Sequence, residues 1–157
     1  EQFQFRIGNF RPAFLSSSAK NENNLLFINR SFLGGEFAFR DAGAIEMSRA
    51  NASRAGVADI TEFKQHAVSD LLPPPGPPGL VIVNPPFGDR IGDKSKLQAL
   101  YRAMGETLLA KFSGWRVGLI SNEVTLARAT GLPFKPPGAP VANGGLRITL
   151  YVTDSLP

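Results

Sequence analysis

The residues best suited to chemistry form the run Asn84-Pro85-Pro86-Phe87-Gly88. Pro85 biases Asn84 toward extended geometry and Pro86 does the same to Pro85, so the turn is stiff before any ligand arrives. The carboxamide oxygen of Asn84 and the backbone carbonyl of Pro85 can both accept hydrogen bonds from an exocyclic amine, while Phe87 offers a ring face on which a base can stack. That combination suits group transfer to a ring-conjugated amine, whose delocalised lone pair makes it a poor nucleophile. Two acceptors on its N–H bonds favour the pyramidal nitrogen, and they bind more tightly as positive charge develops there. The plainer reading is that Asn-Pro-Pro merely ends a strand.

Other candidates are weaker. The sequence holds no cysteine, which excludes disulfide frameworks, thiolate metal sites and cysteine nucleophiles, and disfavours methylation at a pyrimidine carbon, which normally uses a cysteine adduct. Ser69 and Asp70 lack the strand–turn–helix setting of a nucleophile elbow. His66 is the one histidine, with no partner motif beside it, and reads as a partly exposed structural residue or a ligand contact. Trp115 opens an apolar stretch and reads as core. Arg90, Lys94, Lys96 and Arg102 follow the Asn84 turn, where they either neutralise phosphates or form a solvated helix face. Seventeen Lys and Arg against thirteen Asp and Glu give a net charge of +4, which mildly favours an anionic partner such as nucleic acid.

These residues need a scaffold, and 157 residues at 43% hydrophobic suffice for one core. Leu80-Val81-Ile82-Val83 shows no alternation, as expected of a strand covered on both faces in a parallel sheet. Asn84 therefore stands at the carboxyl end of a buried strand, where ligands bind in open α/β sheets. Strands are also expected at 36–39, 59–65 and 115–121, with a short one at 25–28. Helices are expected from Asp41, as N-cap, to about Ala55, with Gly56 closing the helix; over 97–112, where Leu97, Leu100, Tyr101, Met104, Leu108 and Phe112 recur at helical spacing; and over 123–129. Proline-rich loops span 71–79 and 133–140, and Asn143-Gly144-Gly145 makes a tight turn. Leu146, Ile148, Leu150 and Val152 alternate with Arg147, Thr149 and Tyr151, which predicts a last strand with two unlike faces. The order predicts a three-layer α/β domain over 36–157, after a poorly legible segment over 1–35. No apolar run approaches a membrane span, no secretion signal opens the chain, and a cytoplasmic location is expected. The first residue is not Met and the opening reads as mid-domain, which points to a piece of a longer protein.

The stretches DAGAIEMSRANASRAGV, GPPGLVIVNPPFGDRIGD, GWRVGLISNE, ATGLPFKPPG and NGGLRITLYVT make Asp41 to Pro157 resemble the catalytic domain of THUMP-associated class I methyltransferases. That family modifies ribosomal RNA at the 2-amino group of guanine. The resemblance implies a Rossmann-like sheet with a terminal antiparallel strand and S-adenosylmethionine as methyl donor. It implies that Asn84, Pro85, Pro86 and Phe87 hold the target base and that His66 and Ala67 lie by the cofactor adenine; Arg90, Lys94 and Lys96, by their place beside that turn, are the expected RNA contacts. The family's glycine loop after the first strand has no counterpart before Asp41; Gly34-Gly35 reads as a turn. Phe39 falls where the family's ribose-binding acid sits. The first βα unit is therefore expected to be lacking, and a noncatalytic RNA-binding or ribosome-associated module stays open beside the enzyme. NPPF also occurs in methyltransferases acting on the 6-amino group of adenine, which keeps an adenine-specific DNA enzyme open as well.

Overall fold

A computed structural model describes residues 24–28, 35–39, 42–85, 94–143 and 145–157. Its strands are β1 (Asn24–Ile28), β2 (Gly35–Phe39), β3 (Thr61–Gln65), β4 (Leu80–Asn84), β5 (Arg116–Ser121), β6 (Val141–Asn143) and β7 (Leu146–Val152). The helices are α1 (Ala42–Arg54), α2 (Lys94–Lys111) and α3 (Val124–Ala129). One sheet runs β3-β2-β1-β4-β5-β7-β6. β2 pairs β3 and β4 pairs β5 in parallel, whereas β7 is antiparallel to β5 and to β6.

The gap expected at the missing first βα unit is filled by β1, which runs antiparallel to both neighbours, with Leu26 opposite Phe37 and Ile82. Its reversal follows from connection length: six residues between Ile28 and Gly35 allow a hairpin, not the longer crossover that a parallel pair needs. The four parallel strands still share one direction, so their carboxyl ends form a common edge. From β2 to β3 the chain steps one way along the sheet and from β4 to β5 the other, so right-handed crossovers place α1 and α2 on opposite faces.

The core lies on the α2 face. Val81, Val83, Val117 and Leu119 are fully buried there beneath Tyr101, Met104, Leu108 and Phe112. Each such side chain contributes about 1.5–3 kcal/mol relative to exposure. Alternation therefore persists in β4, where Leu80 and Ile82 are only half-buried; the unbroken apolar run does not mean equal cover on both faces. β7 departs from expectation in the same way. Tyr151 is the buried residue, while Leu146 and Val152 of the more apolar row are exposed, because that row faces away from α2.

Boundaries follow local signals. Gly56 has φ 68°, and the bonds Val57 N–H to Ala52 O and Gly56 N–H to Ser53 O close α1 in a Schellman turn. The expected cap, Asp41, lies outside the described residues. Asp59 and Ile60 fall in a 3-10 turn instead of in β3. β6 is an addition to the sequence reading: the Asn143-Gly145 turn needs a strand on its entry side, and Val141–Asn143 supplies it.

Candidate functional site

β4 delivers Asn84 to the carboxyl edge of the sheet. Asn84 is half-buried and Pro85 buried, and no described residue shares a hydrogen bond with the Asn84 side chain. Pro86, Phe87 and Arg90 lie outside the described residues. Register with β5 pairs Val83 with Leu119, which sets Asn84 beside Ile120 and Pro85 beside Ser121.

At that point β5 is anchored by a polar chain. Ser121 is fully buried; its Oγ accepts the Glu123 N–H at 3.1 Å and hydrogen-bonds the equally buried Tyr101 phenol. Burial pushes Tyr101 up to about 12; the Ser121 bond opposes that rise, and the negative charge of Glu123 adds to it. Between Ser121 and Glu123 sits Asn122, whose buried Oδ1 has no hydrogen-bond partner among the described residues. Sequence reasoning passed over Asn122; the available signal was a carboxamide just past the carboxyl end of a parallel strand.

The expected adenine contacts stand further along the same edge. His66 is exposed after β3, and Ala67 precedes the 3-10 turn Val68–Asp70. A cleft of about 240 Å³ opens there, lined by Lys64, His66, Asp70 and residues 71–75, without Ala67 or Asn84. This is below the roughly 300–1,000 Å³ of pockets that enclose a small molecule. Three strand spacings separate β3 from β4 in the sheet, about 14 Å at about 4.8 Å each, so only an elongated ligand meets both places. The sheet does not gather His66, Ala67 and Asn84 into one pocket.

Between those places the fit to a nucleoside cofactor is incomplete. β2 ends on Phe39, opposite Gln65, so the edge position expected to carry an acid for sugar hydroxyls carries an aromatic residue. β1 presents its first residue there, Asn24 opposite Asn84, so no loop leaves a parallel first strand at this edge. Gly35 starts β2 at the other edge, opposite Ile28, so Gly34-Gly35 cannot replace that loop. The described residues at this edge thus offer no acid for the sugar hydroxyls. Lys94 and Lys96 are exposed in the first turn of α2, which contains no acidic residue. No group of three or more His, Asp or Glu able to hold a metal occurs among the described residues.

Strand order 3-2-1-4-5-7-6, an antiparallel seventh strand and an amide-bearing corner after the fourth define a class I methyltransferase type of sheet. The family described as UPF0020, RMKL-like methyltransferase domain, matches residues 4–147, and the chain belongs to that family. It is similar to the ribosomal RNA large subunit methyltransferases K/L of Chromohalobacter salexigens (41% identity over 57% of this chain and 12% of the relative) and Marinomonas sp. (37% over 71% and 16%). That of Methylococcus capsulatus is 36% identical over 74% of this chain and 16% of its own length, so the chain spans under a fifth of any of the three. Among solved structures, SMU.472 complexed with SAH superposes with a TM-score of 0.69 (27% identity, 76% of this chain, 31% of that one). TrmN from Thermus thermophilus gives 0.60 (26% identity, 76% and 35%).

Proposed function

We propose that this chain takes part in S-adenosylmethionine-dependent methyl transfer to an exocyclic amine of a nucleobase, the 2-amino group of guanine in ribosomal RNA. The carrying observation is the Asn84–Pro85 corner, which ends β4 at the ligand edge with no described partner on the amide. The names of the K/L relatives support large-subunit RNA as substrate.

Bound S-adenosylmethionine would supply an activated methyl group on a sulfonium. The chain's own part is to hold the acceptor. Asn84 Oδ1 and the Pro85 carbonyl take the two N–H bonds of the amine and draw its lone pair out of conjugation. As the nitrogen takes the methyl and becomes tetrahedral and cationic, both bonds strengthen; the donor would leave as a neutral thioether keeping the S–C electron pair, and one N–H proton passes to solvent. Loss of one such preorganised partner typically costs about 10²–10³ in rate. Pro86 and Phe87 complete the base seat, His66 and Ala67 meet the adenine end of the cofactor, and Arg90, Lys94 and Lys96 draw in phosphates. Residues 36–157 make up most of the methyltransferase-like domain, and β1 from the preceding segment lies inside its sheet between β2 and β4. No described helix is long and apolar enough to cross a membrane, and a cytoplasmic setting accords with a ribosomal substrate.

Asn84→Ala is expected to reduce methyl transfer to unmodified ribosomal RNA by at least about 10² while leaving the melting temperature unchanged. Unaltered turnover would exclude the role. Phe39 and the reversed β1 favour a second reading, a noncatalytic RNA-binding or ribosome-associated module. Calorimetric titration with S-adenosylmethionine separates the two: micromolar binding supports the enzyme, and no heat at millimolar cofactor supports the module.

A further inference from the structure

We infer that Asn122 is a second amide of the base-binding corner, its Oδ1 accepting an N–H from the bound nucleobase; this rests on the reading of Asn84 given above. A buried acceptor without a partner is destabilising and rare in native proteins, because desolvation is not offset by any bond. Asn122 Oδ1 is such an atom.

Its position accounts for the exception. The register of β4 and β5 sets Asn84 beside Ile120, and Asn122 follows two residues further on, in the bend that directly succeeds β5. One strand spacing across and two residues along place the two amides about 8 Å apart at Cα, as diagonal neighbours on the ligand edge. The turn that carries Asn122 is held from both ends, since Ser121 Oγ bonds the Glu123 N–H and Tyr101 bonds Ser121. A fixed, desolvated oxygen beside an amine-binding corner suits an N–H donor of a planar heterocycle. It does not suit a phosphate, which carries only acceptors.

The test uses the whole chain as wild type, Asn122→Leu and Asn122→Asp. Methyl transfer from labelled S-adenosylmethionine to in vitro transcribed large-subunit ribosomal RNA is measured together with RNA binding by fluorescence anisotropy and with melting temperature. Leucine keeps the volume and removes the orphaned oxygen, so Asn122→Leu should melt at the same temperature or higher. Its KM and Kd for RNA should rise about tenfold, as for the loss of one hydrogen bond, with the KM for cofactor unchanged. Asn122→Asp retains an acceptor and should recover most of that loss. Unchanged RNA affinity in Asn122→Leu, or a lowered melting temperature with no recovery in Asn122→Asp, overturns the inference. A wild-type chain that binds RNA without transferring methyl overturns the enzyme reading instead, and the Kd ratio still decides Asn122.

Discussion

The two faces of the sheet are built from equally apolar residues and buried very differently. On the α2 face Val81, Val83, Val117 and Leu119 are all at 0% exposure. On the α1 face Leu80, Ile82, Ile120, Ile148 and Leu150 are half-buried, although they are as hydrophobic. The cause is helix placement: the buried side chains of α2 share one core cluster with those of β4 and β5 and α2 meets α3, whereas α1 packs on β2 and β3. Asn84, which follows Ile82 by two residues in β4, belongs to the looser face. Residue type decides what can be buried, and topology decides what is.

Two glycines sharpen that contrast. A Cβ on Gly105, within α2, would lie 1.7 Å from the backbone oxygen of Thr130, which cannot swing aside. Gly105→Ala should therefore destabilise by more than about 3 kcal/mol in urea unfolding, although alanine is the better helix former by about 1 kcal/mol. A small effect would mean that the α2–α3 contact is loose and the closed face is not closed.

The second expectation concerns Tyr101 on the same face. With its folded value raised from 10.0 to about 12, the phenol is neutral in the native state where the unfolded chain has begun to ionise. Stability is full below pH 10 and falls as pH rises from 10 toward 12, by on the order of 2–3 kcal/mol. Chemical denaturation across that range should show the fall, and Tyr101→Phe should flatten it.

The smallest effect belongs to the open face. A Cβ on Gly118 would meet Ile82 Cδ1 at 2.8 Å, the tip of a half-buried side chain with room to rotate. Gly118→Ala should change unfolding free energy by under about 1 kcal/mol. A cost equal to that of Gly105→Ala would show that the α1 face is packed as tightly as the other.

Much of this was legible in advance. Helical spacing in α2, the Gly56 stop and the Asn84 corner at the end of β4 all rest on signals local to a few residues. What escaped depends on distant pairing. The reversed direction of β1 is set by the short link to β2, the one-sided burial of Leu80 and Ile82 by where α1 sits, and β6 by a hairpin partner. Asn122 stayed hidden because an unpartnered acceptor is defined by its surroundings, which the order of residues does not print.

The far end of the chain carries one more consequence. Leu156 is buried, its N–H bonds Trp115 O at 2.8 Å, and Gly114 N–H bonds its carbonyl at 2.9 Å, while Thr153 Oγ1 takes the Val117 N–H. Residues 153–156 thus staple the turn between α2 and β5. Amides there should be slow to exchange with deuterated solvent, because that turn opens only when these bonds break together.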